Sequence, residues 1–265
     1  ISTSATAALG GNARLAVSNL LGGVAFQVVV LAIADAFIGR KAVTSTVFTP
    51  AVLIQAIICI LLLALAVAGI VTGDGSIMGV GFWSLGMVLT YGVSILFVRG
   101  QEPHAGWIPG RGVRATDAQT TEMVDGRRPV GKRLMGKMGI AGAVILVAGV
   151  VLTRTAETIA LQSGLDMTFA GMTLLAIATS LPELSTATSS VRLGRNDLAI
   201  GDVLGGNMFD LLLIFVVDLL YRGPPVLGEV GQTAAFAGLL GIILTAIYLI
   251  GMIERRDRII FRIGY

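Results

Sequence analysis

The chain has 265 residues, of which 55% are hydrophobic and only 13% charged, and its mean hydropathy is +0.87. So little polar surface cannot cover a soluble core of this size, so the apolar surface must face lipid. Most soluble enzymes, nucleic-acid modules and disordered segments are thereby excluded. The 35 glycines suit helices whose backbones approach closely in a bilayer, and the net charge of +3 is a matter of topology and carries no nucleic-acid footprint. The single cysteine, Cys59, lies in an apolar run and excludes an internal disulfide.

In chain order, residues 1–11 read as the tail of a helix. Apolar stretches near 15–38, 46–72 and 77–98 follow, then a loop over 99–137, then stretches near 138–160, 167–191, 198–221 and 230–253. Residues 258–265 read as the head of a further helix. A bilayer takes about 20 helical residues, so seven spans are expected; membrane barrel strands would be shorter and alternate in polarity. The fold class is an all-α membrane protein. Its organisation is first-half helices over 1–98, the loop over 99–137, and second-half helices over 138–265.

The loop carries Pro103, Pro109, Pro129, the lone His104 and eight basic residues. With the loop on the cytoplasmic side, where Lys and Arg accumulate, sixteen of the 19 basic residues fall inside and only Arg14, Arg154 and Arg222 outside. The basic loop is read as a topology signal and His104 as incidental. A cell membrane of bacterial or archaeal type is the expected location. The chain opens Ile1-Ser2-Thr3, without Met or a signal peptide, and closes within an apolar segment, so it reads as part of a longer protein.

Residues 1–27 align with 184–210 at a shift of 183, with nine identities in 27 positions and no gap, among them Leu21-Gly22-Gly23 with Leu204-Gly205-Gly206. The expected topology runs 15–38 from outside to inside and 198–221 from inside to outside. The repeat is thus inverted, an architecture of transporters that bind substrate near the midplane. The shift puts the counterpart of Glu183 one position before Ile1.

The chemistry is concentrated in Ala176-Ile177-Ala178-Thr179-Ser180-Leu181-Pro182-Glu183. Glu183 lies too deep in its span to reach water, and an ionisable group at that depth is a functional hypothesis by default. Pro182 removes a helical hydrogen bond and frees carbonyls that could line a site. Thr179 shares a face with Glu183, and Ser180 lies beside them. In the next span Asp210 is equally deep, following Gly201, Gly205, Gly206 and Asn207. Carboxylates, hydroxyls and loosened carbonyls are hard donors suited to Ca²⁺ or Na⁺. Asp202, Asp35 and Asp218, nearer the helix ends, are read as interfacial or capping carboxylates, and Ser185, Thr186, Thr188, Ser189 and Ser190 as packing polar groups.

This motif, followed by Gly201-Asp202-Val203-Leu204-Gly205-Gly206-Asn207, resembles the second α-repeat of the cation/Ca²⁺ exchanger superfamily, and is most similar to its prokaryotic sodium/calcium antiporters. Residues 1–38 resemble the later part of a first α-repeat, and 167–221 a complete second one. The resemblance implies ten helices in two inverted halves, an inverted-repeat transporter bundle of which this chain would hold seven complete helices and partial helices at both ends. It also implies ion ligation at Ala176 through its carbonyl, and at Thr179, Ser180, Glu183 and Asp210. Gly206 and Gly23 stand where the family usually has Ser, and Gln27 where Asn or Asp is common.

The expected activity is antiport of Ca²⁺ against Na⁺ by alternating access, with no catalysis, no cofactor and no obligate protein partner. Its partners are the two ions and the bilayer. The alternative is Ca²⁺/H⁺ exchange, in which a carboxylate of raised pKa takes the proton. Glu183, Asp210 and a first-repeat Glu would match three Na⁺, or one Ca²⁺ plus a proton. An intramembrane hydrolase, the remote alternative, needs a nucleophile with its base, and the one His is in a loop.

Overall fold

The computed structural model describes residues 1–38, 50–77, 79–99, 132–254, 259–260 and 263–264. The helices are α1 (Ser2–Leu9), α2 (Ala13–Ile38), α3 (Pro50–Thr72), α4 (Phe82–Arg99), α5 (Lys132–Ser163), α6 (Met167–Ala170), α7 (Ala176–Thr179), α8 (Leu181–Arg192), α9 (Asn196–Leu220), α10 (Val226–Glu229) and α11 (Gln232–Glu254). A π-helical segment, Gly171–Leu175, joins α6 to α7, and β1 (Ser76–Ile77) pairs antiparallel with β2 (Val80–Gly81).

Among the described residues, five helices are long and apolar enough to cross a membrane: those over α2, α3, α5, α9 and α11. The pair Met167–Thr179 and Leu181–Arg192, bent by 42°, makes a sixth as a broken span. The seventh expected span, 77–98, is shorter. Its first residues form the β1–β2 hairpin, and the apolar helix proper covers Phe82–Leu96. Gly73 and Gly79 turn the chain there at φ +83° and +86°, a conformation that costs glycine little. The expected helix head at 258–265 is also corrected. Ile259–Ile260 pairs with Ile263–Gly264 as a short antiparallel ladder (β3–β4), in keeping with the preference of β-branched residues for extended backbone. Residues 100–131, which hold most of the expected loop and His104, lie outside the described residues.

Side-chain bonds gather one end of the bundle. Arg14 Nε, at the start of α2, donates to the Glu229 carbonyl at 3.1 Å. Asp218, buried near the end of α9, accepts from Gly81 N at 2.6 Å, Ser84 Oγ at 2.7 Å and Val226 N at 2.9 Å. The start of α2, the β1–β2 hairpin, the end of α9 and α10 therefore share one end, as alternating spans require.

α2 begins at Ala13 and α9 at Asn196, 183 residues apart. Each follows a turn closed by a left-handed glycine, Gly11 at φ +80° and Gly194 at φ +72°. α3 and α11, each of 23 residues, pack on one another, α11 also on α2 and α3 also on α9.

Candidate functional site

The break in the sixth span is built from its sequence. Pro182 occupies the first turn of α8, where its missing N–H is one that no helix would use. Ser180 leaves helical geometry at φ −94°, ψ 1°. The consequence is a helix N-terminus in the middle of a span, with Glu183 in its first turn. The partial positive charge of that terminus favours a carboxylate. Upstream, the π-helical segment rests on α2 at two glycines. A Cβ on Gly22 would stand 2.5 Å from both Cα and O of Met172, and one on Gly171 would stand 2.7 Å from the Leu15 carbonyl oxygen. Only glycine admits so close a backbone crossing. π-helical turns of this kind recur at functional sites.

Below the break a cavity of about 390 Å³ opens, lined by Ile1, Gln27, Pro182, Glu183, Thr186, Asp202, Gly206, Phe209 and Asp210. Of the residues expected at an ion site, Glu183, Asp210, Gly206 and Gln27 meet here. Gln27 Nε2 donates to Asp210 Oδ2 at 3.2 Å, which fixes the amide so that Oε1 points away from the carboxylate. That oxygen has no hydrogen-bond partner among the described residues, although Gln27 is only 4% exposed. It lies 3.6 Å from where a Cβ on Gly206 would stand, so it borders the cavity. Glu183 Oε2 is likewise buried and without a partner among the described residues. Oxygens left unmatched in this way are costly, and a cation would satisfy them.

Ala176, Thr179 and Ser180 stand on the other side of the break, outside the cavity lining. The Ala176 carbonyl accepts from Ser180 N at 3.1 Å and from Thr179 Oγ1 at 3.1 Å. Thr179 Oγ1 also lies 3.3 Å from Asn19 Oδ1, and Ser180 is buried. Gly23 has open space where a Cβ would go and does not line the cavity. Asp202 and Thr186, read from the sequence as an end carboxylate and a packing hydroxyl, line the cavity instead. Asp202 falls one turn before Gly206 and two before Asp210, a spacing of about four that does signal a shared face. Asn207 is fully buried, and neither of its amide atoms has a partner among the described residues. A Cβ on Gly201 or on Gly205 would stand 3.9 Å from Gln55 of α3, an ordinary contact, so neither glycine is required there by a close crossing. A larger concavity along α5, about 700 Å³, is lined by apolar residues and Thr155 and offers no comparable chemistry.

Asp74 and Asp166, outside the spans, have shifted carboxyls. Partial burial, with Asp218 nearby, holds the Asp74 carboxyl above its ordinary range, although Trp83 N donates to Oδ1 at 3.1 Å. Asp166 caps α6. Burial acts to raise its pKa, but hydrogen bonds from Thr168 and Phe169 outweigh that and hold the carboxyl below the usual range.

Membrane-length helices around an acid-lined cavity, one of them broken beside a deep carboxylate, define a polytopic membrane protein with a polar site within its helices. Residues 135–262 match the family model for sodium/calcium exchanger protein. The chain is 35% identical over 106 residues to inner membrane protein YrbG of Escherichia coli, covering 38% of this chain and 32% of that protein. It is 37% identical over 75 residues to the putative antiporter CaxA of Alkalimonas amylolytica, covering 28% and 24%. It is 40% identical over 58 residues to the sodium/calcium exchanger MaX1 of Methanosarcina acetivorans, covering 22% and 17%. The matched stretches thus span a third or less of these relatives, and no solved structure matches the chain. Over residues 135–262, just under half of its length, the chain is thus similar to the sodium/calcium exchanger family.

Proposed function

We propose that the protein is a secondary active antiporter that exchanges Ca²⁺ for Na⁺ by alternating access. The observation that carries this reading is the cavity in which Glu183 and Asp210 meet the unpartnered Gln27 Oε1 beside a broken span. These are hard oxygen donors, and one cavity holding them can take one Ca²⁺ or the Na⁺ that replaces it. Among the described residues no three His, Cys, Asp or Glu side chains converge tightly enough to hold a metal. The relatives named as a sodium/calcium exchanger and a putative antiporter support the same class.

The inverted-repeat architecture draws support from one contact. Gln27 and Asp210, which bond at 3.2 Å, are 183 residues apart, the shift of the sequence repeat itself. Two equivalent positions touch only where they lie close to the axis relating them. That axis runs through the cavity, so rocking of the two halves about it would open the site to each side in turn. Ion ligands beyond the cavity lining are the Ala176 carbonyl and the Thr179 and Ser180 hydroxyls across the break, with the Gly23 backbone at the equivalent turn of α2. The loop over 99–137 faces the cytoplasm, on the distribution of basic residues.

The test is Ca²⁺ uptake into liposomes carrying the full-length protein. An imposed Na⁺ gradient should drive uptake and a pH gradient should not. Uptake driven by the pH gradient alone would replace Na⁺ with H⁺ as the coupling ion, and uptake driven by neither would remove the antiport reading.

A further inference from the structure

Asn19 of α2 is buried, at 4% exposure, and joins three helices. Its Nδ2 donates to Ser4 Oγ at 3.1 Å and lies 3.4 Å from Thr3 Oγ1, both on α1. Its Oδ1 accepts from Thr179 Oγ1 at 3.3 Å, at the end of α7. The amide nitrogen thus faces the α1 hydroxyls, which can accept from it, and the carbonyl oxygen of Asn19 faces Thr179.

Thr179 has one hydroxyl proton and three acceptors in reach: the Leu175 carbonyl at 2.9 Å, the Ala176 carbonyl at 3.1 Å and Asn19 Oδ1 at 3.3 Å. The first two are the back-bonds usual for a helical Thr. While the proton points at Ala176, it occupies the carbonyl that the proposed reading needs for the ion. Donation to Asn19 instead frees one lone pair of that carbonyl, the other still accepting from Ser180 N at 3.1 Å, and leaves the hydroxyl lone pairs for a cation.

We infer that Asn19 is a positioning residue that draws the Thr179 proton off the Ala176 carbonyl when an ion binds, and so ties the ligand geometry at the break to helix α1. This rests on the proposed reading of the break as part of the ion site. Asn19 touches no ion in this account and acts through Thr179.

The experiment is a double-mutant cycle on Na⁺-driven Ca²⁺ uptake by the full-length protein in liposomes, reading the Ca²⁺ concentration for half-maximal rate. Asn19→Leu and Thr179→Val should each raise it about tenfold, the scale of one buried hydrogen bond. The double variant should be no worse than Thr179→Val alone, because Asn19 acts only through that hydroxyl. Asn19→Asp, which keeps an acceptor oxygen, should stay close to the parent. Ser4→Ala, which loosens the amide but leaves α2 intact, should give a smaller rise and covers the case in which Asn19→Leu fails to fold. Additive losses in the double variant, or an unchanged half-maximal concentration in Ser4→Ala together with Asn19→Leu, would overturn the inference. With Glu183→Gln as a companion, the two levels separate. A dead Glu183→Gln with additive losses at 19 and 179 removes only the positioning role, whereas a Glu183→Gln that still transports overturns the ion-site reading and the inference together.

Discussion

Gly22 and Gly23 are adjacent in sequence and opposite in consequence, which makes them a stringent test of the helix crossing that supports the site. An alanine Cβ at position 22 would stand 2.5 Å from the Cα and carbonyl oxygen of Met172, against backbone that cannot rotate aside. Ordinary contact begins near 3.4 Å, so α2 and the π-helical segment must separate by nearly an ångström. Overpacking of this kind costs about 1–3 kcal/mol, with the upper part expected where backbone meets backbone. At position 23 an alanine Cβ meets nothing within 4 Å, and the helix gains up to about 1 kcal/mol of propensity. Thermal unfolding in detergent should therefore show Gly22→Ala several degrees less stable than the parent, and Gly23→Ala equal or slightly more stable. Asn19 lies one turn before Gly22, so Gly22→Ala should also weaken the 3.3 Å bond to Thr179 and slow Ca²⁺ uptake. Equal stability of the two variants would refute the crossing as described.

Gly206→Ser should fold normally, because its Cβ would sit 3.6 Å from Gln27 Oε1, and should tighten Ca²⁺ dependence several-fold by adding a hydroxyl ligand; a loss of uptake affinity would count against Gly206 as a lining position. Asp210→Asn should raise the half-maximal Ca²⁺ concentration less than Glu183→Gln does, since an amide keeps a carbonyl ligand and can still pair with Gln27, and the same uptake assay ranks the two. Asp74 is raised above its ordinary range mainly by burial, so the folded state holds its proton more tightly. Stability from that group is complete below its unfolded pKa of 3.8 and is lost as pH rises through the higher folded value. Unfolding temperatures measured upward from about pH 4 should fall in the parent more than in Asp74→Asn. Cysteine placed at position 104 should escape an impermeant maleimide on intact cells, with the native Cys59 silent because it is fully buried.

Local chemistry made part of this legible from sequence. A proline one residue before a deep glutamate marks both a break and a charge that needs a partner, and Pro182 and Glu183 deliver both. Gly11 and Gly194, which the sequence aligns, both close a turn in the left-handed conformation before a long helix. Asp202 did carry a signal, its spacing from Gly206 and Asp210 on α9, which its place nearer the helix end obscured; Thr186 did not, because which face of α8 borders the cavity depends on how the break rotates that helix. Asn19 was missed for a related reason, since its role comes from α1 and α7, distant in sequence, arriving beside it. No residue type announces a π-helical turn; the glycines that admit the crossing, Gly22 against Met172 and Gly171 against Leu15, are paired only by the fold. The hairpin at 76–81 did carry a signal, glycines at 73, 75, 79 and 81, which the apolar residues between them obscured.

The central claim is that Glu183 holds the transported ion, and the most direct measurement is Na⁺-driven Ca²⁺ uptake by Glu183→Gln in the full-length protein. The amide keeps the volume and removes a unit charge. At an effective dielectric near 20, one carboxylate about 4 Å from a divalent ion is worth several kcal/mol before hydration is counted. That corresponds to a loss of at least a hundredfold in affinity. The account predicts no measurable uptake at Ca²⁺ concentrations that saturate the parent, from a variant that folds and inserts normally. Uptake at near-parental rate and affinity would place the ion elsewhere and contradict the account.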